Sequence, residues 1–400
     1  MNLISFSADY GLSAVCPQLT ECFLAMQPLP AQHQLGSYEV RQYHAALSAV
    51  ELLTLNEYKS NLAALRELDS VFSTAQAPGL YRWVLPALKH WCKLDLAQAC
   101  RLFSEHVSEY PADTAVLFML HQCQFFAGRT HELPKSITPA CNQPPTTSPF
   151  LSHHLAIQAF AWVEARRYID ARELAENALA IDPRNVYAIH AMAHALHEQG
   201  AFSQVRDFLQ DCKAIWQDHA AMGMHVGWHL AMAYYECQQE QQAYVAFQDF
   251  YAMKPSFFAK QDLDAVGFLW RARLQHPKLH TCLAPLWDDL AVSWLGSIGA
   301  STSYLHRIHA ALAFTATEQP KLIEKLLSEC DEMGFDTLIH RTGILVLKGL
   351  LEFALDNPVA CQRALRSSRP YWDLLGGSHA QRELLDITLN ACDTHLAATA

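Results

Sequence analysis

Residues 152–185 read SHHLAIQAFAWVEARRYIDARELAENALAIDPRN, and this stretch decides the fold class. Its length is typical of a helix–turn–helix repeat, which carries small residues where its two helices touch and a proline near its end. Ala171 and Ala178 occupy the contact positions, and Pro183 occupies the closing position. The stretch therefore predicts one helical hairpin.

The same spacing recurs on both sides of this hairpin. A second frame begins at Val186, with Gly200 at its bend, and a third begins at Met224 after a short insertion; upstream, residues 94–129 fit a similar unit. Glycine is scarce, with 15 in 400 residues, and apolar residues recur at steps of three and four, so we expect helix nearly everywhere. The sequence predicts an all-α protein, an α/α superhelix: a tetratricopeptide repeat (TPR)-like helical-repeat solenoid with degenerate helical hairpins at both ends.

Composition along the chain predicts five segments. Residues 134–150 contain five prolines with several Ser and Thr, and proline removes helix hydrogen bonds, so we expect a loop there. The segments are an N-terminal helical segment (1–76), TPR-like hairpins (77–133), the Pro-rich loop (134–150), TPR-like repeats that carry a histidine cluster (151–256) and C-terminal helical hairpins (257–400).

Two pairs of residues near the C-terminus predict where helices begin. Asn357 followed by Pro358 is typical of an N-cap and a first helical residue. Ser378 and Gln381 have the spacing of a capping box, in which each side chain bonds the backbone N–H of the other residue.

The bulk composition argues against several classes of function. The chain has 400 residues, of which 51% are hydrophobic, which is enough for a large core. Its net charge of −11 argues against a nucleic-acid or anionic-membrane partner, and no apolar run reaches the ~20 residues of a membrane span. The twelve cysteines form no CxxC pair, which is typical of reduced thiols. We expect a cytoplasmic protein with no nucleic-acid and no membrane partner; its oligomeric state does not follow from the sequence.

A stripe of histidines marks one predicted helix. Residues 188–200 read AIHAMAHALHEQG, in which His190, His194 and His197 fall on a narrow stripe of the helix surface. In helical-repeat arrays the first helix of each repeat lines the concave face. We therefore expect these imidazoles to face a groove rather than the bulk core.

The next first helix repeats the spacing. Residues 225–236 read HVGWHLAMAYYE, with His225 and His229 one turn apart and Trp228 between them. Neighbouring first helices pack side by side in such an array. The two HxxxH pairs are therefore expected to meet.

Three interpretations of these histidines are open at this point. The rings are structural and bonded to carbonyls or carboxylates; or they contact a peptide or small molecule in a polar groove; or they form a metal or catalytic centre. Two HxxxH pairs present four nitrogens, and divalent first-row metals (here Zn, Fe, Mn or Ni) take imidazole readily. The metal-ligand and catalytic candidates are His190, His194, His225 and His229.

Four motifs occur in a fixed order along the chain. They are HAMAH (190–194), HVGWH (225–229), a D-x4-L-W-R run that begins at Asp264, and GGSHAQRE (376–383). Together they resemble the tetratricopeptide repeat protein 38 family, and the likeness covers roughly residues 150–395. The resemblance implies a helical-repeat fold, and it carries no biochemical activity over to this chain.

The residues that match the family motifs include those that we predict to contact a ligand. By position they are His190, His194, His225, Trp228, His229, Asp264, Arg271, His309 and Arg382. Two positions depart from the family pattern, because Arg307 stands where an acid is expected two residues before His309, and His197 stands where the family has Glu.

We predict a binding module that recognises a peptide or small molecule in a His-rich concave groove. The alternative is a metal-dependent or acid/base enzyme that uses the same histidines, with Arg271 or Arg382 fixing an anionic substrate.

Overall fold

A computed structural model describes five stretches of the chain, which are residues 8–72, 79–138, 147–254, 259–332 and 337–399. The described residues form α-helices and short 3-10 helices and contain no β-strand, so the predicted all-α fold is confirmed. The chain divides into two compact units, Met1–Cys237 and Gln238–Ala400. This division falls inside the segment predicted for 151–256, and the five-segment organisation stays a prediction.

The first unit holds thirteen of the described α-helices. They are α1 (Pro17–Leu24), α2 (Tyr38–Leu53), α3 (Tyr58–Val71), α4 (Tyr81–Cys92), α5 (Leu96–Glu109), α6 (Thr114–Phe126), α7 (Leu133–Ser136), α8 (Leu151–Glu164), α9 (Tyr168–Ile181), α10 (Val186–Glu198), α11 (Phe202–Asp211), α12 (Lys213–Trp216) and α13 (Gly223–Glu236).

Small residues bring the central helices of this unit together. Ala171, Ala175 and Ala178 of α9 are fully buried, and α9 packs against both α8 and α10. Alanine has no side-chain entropy to lose, and its size allows close backbone approach. The contact positions predicted for Ala171 and Ala178 are therefore confirmed.

The helix that carries the first HxxxH pair has a defined start and end. The Asn185 side-chain oxygen accepts the Ala188 N–H at 3.0 Å, which satisfies one of the free donors at the start of α10. Two residues beyond the end of α10, Gly200 has a φ of 70°, a conformation that glycine adopts without strain. The first helices then lie side by side, because α10 packs against α8 on one flank and against α13 on the other.

The N-terminal segment is anchored to the same unit by one buried carboxylate. Asp113 is fully buried and accepts the Leu12 N–H at 2.6 Å and the Ser13 hydroxyl at 2.7 Å. His106 contacts the same carboxylate through Nε2 at 2.9 Å. The segment that contains Leu12 and Ser13 is thus joined to α6.

The predicted Pro-rich loop is partly helical. Its start overlaps α7 (Leu133–Ser136), because a proline in the first turn of a helix removes only an N–H that has no partner there. Residues 147–150 form turns and no helix, and residues 139–146 lie outside the described residues.

The second unit holds nine described α-helices. They are α14 (Glu240–Ala252), α15 (Ala259–Gln275), α16 (Pro277–Leu283), α17 (Leu286–Leu295), α18 (Tyr304–Ala316), α19 (Pro320–Glu332), α20 (Leu338–Ala354), α21 (Pro358–Ser368) and α22 (His379–Thr399).

Both helix starts predicted in this unit are confirmed. Asn357 caps α21 by accepting the Ala360 N–H at 3.3 Å. Before α22, the Ser378 N–H donates to Gln381 Oε1 at 3.1 Å, and the Gln381 N–H donates back to Ser378 Oγ at 3.4 Å. These bonds join residues that are close in sequence, so the sequence alone predicts them.

Among the helices that the structure describes, none has the combination of length and apolar character needed to cross a membrane.

Candidate functional site

The two HxxxH pairs converge in the first unit. One ring nitrogen from each of four histidines, two on α10 and two on α13, lies within 4.8 Å of all the others. The four residues are His190, His194, His225 and His229. Residues four apart on a helix lie on the same face, and the packing of α10 against α13 brings the two faces together. The predicted meeting of the two pairs is therefore confirmed.

The rings form a compact arrangement rather than a line. Ring centroids of His190 and His194 are 4.5 Å apart, and those of His194 and His229 are 4.3 Å apart. His225 lies 4.9 Å from both His190 and His229 by the same measure. Two ring nitrogens, Nε2 of His190 and Nε2 of His225, are 3.1 Å apart. Each ring thus has a neighbour from the other helix.

Three of the four rings are buried. The exposed fractions of His190, His194 and His229 are 5%, 1% and 0%, whereas His225 is half-buried. The sequence predicts rings that line an open groove, and the structure differs because neighbouring helices cover most of them. Of the four rings, His225 has the largest exposed fraction.

Burial keeps the imidazoles of His190 and His229 neutral. Burial lowers the pKa of His190 well below its ordinary value, and the nearby rings of His194 and His225 lower it further. The same two causes, burial first, lower the pKa of His229 well below its ordinary value. A neutral imidazole has a lone pair on one nitrogen, which is the form that binds a metal ion.

His229 has unmet hydrogen-bonding capacity. Both of its ring nitrogens are buried, and neither has a hydrogen-bond partner among the described residues. Leaving a buried polar group unsatisfied costs about 1–3 kcal/mol, so native proteins rarely do it without a reason. Because the His229 ring stands beside three other imidazoles, a bound cation would supply the missing partner.

An aromatic layer surrounds the four histidines. Phe160 of α8 stacks on His190 with ring centroids 5.2 Å apart, and Trp228 stacks on His225 at 5.4 Å. Trp228 was predicted to contact ligand; its side chain is 1% exposed and forms part of the wall. Such a layer keeps water away from a bound ion and strengthens its interaction with the ligands.

One hydrogen-bonded pair in this layer was missed by the sequence analysis. The Tyr187 hydroxyl and His121 Nε2 are 2.7 Å apart, and the Tyr187 ring lies 5.6 Å from the His190 ring. Burial lowers the pKa of His121 to about 3. His121 is the only histidine of α6, so no spacing of histidines predicts its place beside the cluster.

The third histidine of the predicted stripe does not join the cluster. His197 lies one turn beyond His194, where its ring packs at 5.2 Å from Phe202 and at 6.4 Å from His229. It is half-buried and is not one of the four residues whose nitrogens converge.

The remaining predicted site residues belong to the second unit. Arg271 of α15 is 1% exposed; it donates to the Gly267 carbonyl at 3.1 Å and pairs with Glu383 of α22 at 2.9 Å. The Gln381 side-chain amide donates to Asp264 Oδ1 at 3.4 Å. These contacts tie α15 to the start of α22.

Arg382 and His309 also bond to nearby backbone. Arg382 donates to the carbonyls of Gly376 and Gly377 and pairs with Asp373 at 3.0 Å. Nδ1 of His309 lies 2.8 Å from the Leu305 carbonyl oxygen. Burial lowers the pKa of His309 to about 4, although the bond to that carbonyl opposes the shift.

Arg307 takes the place of the acid expected near His309. Its guanidinium donates to the Ser301 carbonyl at 2.6 Å and lies 5.4 Å from the Tyr304 ring centre. A backbone carbonyl and an aromatic face thus hold the Arg307 guanidinium in place.

Comparisons of this chain with a family model, a known protein and solved structures define its class. Residues 163–224 match the family model described as a tetratricopeptide repeat, which spans the α8–α9 turn through the start of α13. The chain is also similar to the TPR repeat-containing protein YpiA of Bacillus subtilis (strain 168), with 28% identity over 82 residues. That match covers 20% of this chain and 18% of YpiA, so the chain corresponds to under a fifth of the length of this relative.

Two solved structures share the fold across nearly the whole chain. The human IFIT1 dimer with m7Gppp-AAAA has a TM-score of 0.50 and 13% identity, and the comparison covers 99% of this chain and 88% of IFIT1. A monomeric mutant of IFIT1 with Gppp-AAAA has a TM-score of 0.51 and 12% identity over the same shares. Identity this low reports on the fold alone. The chain is a TPR-like helical-repeat protein, which confirms the predicted fold class.

Proposed function

We propose that this TPR-like protein binds a divalent first-row transition metal ion through His190, His194, His225 and His229. The observation that carries the proposal is the convergence of four imidazole nitrogens within 4.8 Å of one another, next to a buried His229 ring with no hydrogen-bond partner among the described residues. Bonds of about 2.0–2.1 Å in a tetrahedral site place its nitrogens roughly 3.4 Å apart. Small ring rotations would bring the four rings to that spacing.

The donor set favours particular ions. Imidazole nitrogen suits Zn, Fe, Ni and Cu, whereas Mn prefers carboxylate, carbonyl and water oxygens. The converging group contains only histidines. Among the metals expected from the sequence, Zn, Fe and Ni therefore fit these ligands better than Mn does.

The burial of the rings favours an ion that links helices. With two ligands on α10 and two on α13, a bound ion would join neighbouring repeats directly. An ion with four protein ligands has no open position for a substrate, which is typical of structural sites. Catalysis would require one ligand to leave, and His225 is the half-buried member of the set. The metal-dependent enzyme thus stays as the second candidate, with its open position at His225.

The TPR-like fold itself supports a protein-binding scaffold. A peptide or small molecule in the groove would reach His225, because the other three rings are buried. The ligand-binding roles of Asp264, Arg271, His309 and Arg382 stay predictions, and their described contacts join helices and backbone. Membership of the tetratricopeptide repeat protein 38 family stays a proposal that rests on the four sequence motifs.

The prediction of no nucleic-acid partner rests on the net charge of −11 and remains to be tested. The IFIT1 structures hold m7Gppp-AAAA or Gppp-AAAA, and a shared fold does not transfer that ligand to this chain.

Metal analysis of the untagged full-length chain tests the proposal. After purification without a histidine tag and incubation with Zn, Fe(II) or Ni, we expect about one ion per chain by plasma mass spectrometry. The double variant His190→Gln/His229→Gln removes one ligand from each helix while keeping side-chain volume. We expect it to lose at least about 90% of the bound ion, since even the loss of an outer-shell partner of a metal ligand typically costs 10–100-fold in affinity.

A matched control is available on the same helix. His197→Gln changes a histidine of the same stripe that stands outside the converging group, and it should keep the ion. If the double variant does not fold, the single variant His225→Gln changes the half-buried ligand and serves in its place. The proposal is wrong if the wild-type chain takes up none of these ions, or if the folded ligand variants retain them.

A further inference from the structure

The first unit contains a cavity of about 400 Å³. The residues that line it come before the four clustered histidines in the sequence. It lies against α5, α6 and the segment that follows α6. Its lining is mostly polar and charged, and consists of Ala97, Cys100, Arg101, Ser104, Ser108, Gln124, Arg129, His131, Glu132, Lys135 and Ser136. Its size admits small polar molecules, and Cys100 is the cysteine that it reaches.

A second cysteine stands directly behind the first. Cys100 of α5 and Cys123 of α6 are 2% and 0% exposed, and their sulfur atoms are 3.5 Å apart. Both thiols are free. Cys123 does not belong to the lining of the cavity. The two sulfurs are thus in van der Waals contact, and they differ in access.

A disulfide is within reach of these two helices. A disulfide bond is about 2.05 Å long, so the sulfurs must approach by roughly 1.5 Å, which rotation about side-chain bonds can supply. Arg129 also lines the cavity, where its Nε donates to Glu132 at 2.8 Å.

The two cysteines are suited to different steps. Burial raises the pKa of the Cys123 thiol well above its ordinary value, and the contact with Cys100 raises it further, while Arg129 opposes the shift. Cys123 therefore keeps its proton at neutral pH and reacts last. Cys100 lines the cavity, so a small molecule that enters the cavity contacts Cys100 first.

We propose that Cys100 and Cys123 form a reversible intramolecular disulfide when hydrogen peroxide enters this cavity. In the first step the Cys100 sulfur attacks one peroxide oxygen, the O–O bond breaks, and Cys100 sulfenic acid and one water form. In the second step the Cys123 sulfur attacks the Cys100 sulfur, the S–O bond breaks, and the Cys123 proton passes to the departing hydroxide, which leaves as a second water. In total the two thiols lose two electrons and two protons, and peroxide is reduced to two waters.

Mass spectrometry of the folded, full-length chain tests the proposal. The reduced protein is treated with peroxide, free thiols are blocked with N-ethylmaleimide, and peptides are analysed without reduction. We expect a Cys100–Cys123 linked peptide, which disappears when the oxidised protein is treated with dithiothreitol before blocking.

Single variants distinguish access through the cavity from general oxidation. In Cys123→Ser the second step is absent, so we expect dimedone to label Cys100 sulfenic acid. In Cys100→Ser we expect little labelling of Cys123, because that residue is buried behind the cavity. Cys330→Ser, which changes a fully buried cysteine of the other unit, should leave the linkage unchanged.

Two results would overturn the proposal. One is the absence of the linked peptide after peroxide treatment of the folded wild-type chain. The other is a linkage that forms only when denaturant is present, because oxidation would then not proceed through the cavity. The wild-type measurements decide the question even if a serine variant does not fold.

Discussion

His309 is a single buried residue whose titration sets a pH dependence of stability. Its exposed fraction is 1%, and its pKa is lowered to about 4, first by burial, with its bond to the Leu305 carbonyl acting in the opposite direction. In the unfolded chain an imidazole has a pKa of about 6.5. Below that pH the unfolded state takes up a proton that the folded state does not accept. The free energy of unfolding therefore decreases as the pH is lowered.

We expect His309 to lower the free energy of unfolding by about 2 kcal/mol between pH 7 and pH 5, with the loss growing until the pH reaches about 4. His309→Asn keeps a donor for the Leu305 carbonyl and cannot titrate. Urea unfolding at both pH values measures the effect, and the variant should lose about 2 kcal/mol less than the wild type. An equal pH dependence in the two proteins would contradict this expectation.

Gly377 is required by both its backbone conformation and its surroundings. Its φ is 79°, and a Cβ atom there would come within 2.8 Å of Leu305 Cδ2. We expect Gly377→Ala to lower the free energy of unfolding by about 2 kcal/mol or more, through backbone strain together with overpacking.

Gly299→Ala is the matched control in the same unit. Its φ is 74°, and the nearest atom to the added Cβ among the described residues would be a Glu329 carboxylate oxygen at 3.7 Å, which is an ordinary contact. That variant should show the backbone cost alone, about 1 kcal/mol by urea unfolding. Equal losses in the two variants would mean that the contact with Leu305 has no effect.

Among the secondary-structure elements, α10 determines the geometry of the candidate site. Its 3.6-residue period places His190 and His194 on one face, and its alanines allow close packing on α8 and α13. The start of the helix decides where along that face the rings stand. Asn185 holds this start, both by capping Ala188 and by donating to Ser152 Oγ at 2.8 Å.

We expect Asn185→Ala to lower the free energy of unfolding by about 2–3 kcal/mol, because it removes a cap and leaves buried groups without partners. Ser37→Ala removes an exposed cap from α2, where Ser37 accepts the Val40 N–H at 3.2 Å, and should cost about 1 kcal/mol. Both losses are read from urea unfolding of the full-length chain. A smaller loss in Asn185→Ala than in Ser37→Ala would show that the Ser152 bond contributes nothing.

For the whole molecule, a bound ion would appear as added stability. A ligand that binds only the folded state at a free concentration 100-fold above its Kd adds about 2.7 kcal/mol. In a unit of this size that amount corresponds to a rise in Tm of roughly 5–10 °C. The effect joins the proposed metal site to the stability of the array.

We therefore expect a chelator to lower the Tm of the metal-loaded wild-type chain by roughly 5–10 °C, as measured by calorimetry. In the His190→Gln/His229→Gln variant the chelator should have no effect, since the ion has no site there. His197→Gln should respond as the wild type does. A chelator effect that persists in the double variant would place the ion elsewhere in the chain.

Local sequence was sufficient for the repeat period, the helix caps and the pairing of histidines four residues apart. The hairpin contacts at Ala171 and Ala178, the cap at Asn357 and the reciprocal bonds of Ser378 with Gln381 all depend on residues within one or two turns of one another. Short-range geometry of this kind follows from the fixed dimensions of the helix.

Only the tertiary structure decided how deeply the histidines are buried and which groups meet over long distances in sequence. Phe160 stacks on His190, Tyr187 is hydrogen-bonded to His121, and Arg271 pairs with Glu383. No periodicity encodes these contacts, because they join helices whose separation and rotation are set by the packing of many side chains at once. The same packing buries three of the four histidines that the sequence predicts to line an open groove, and it brings the four imidazoles together.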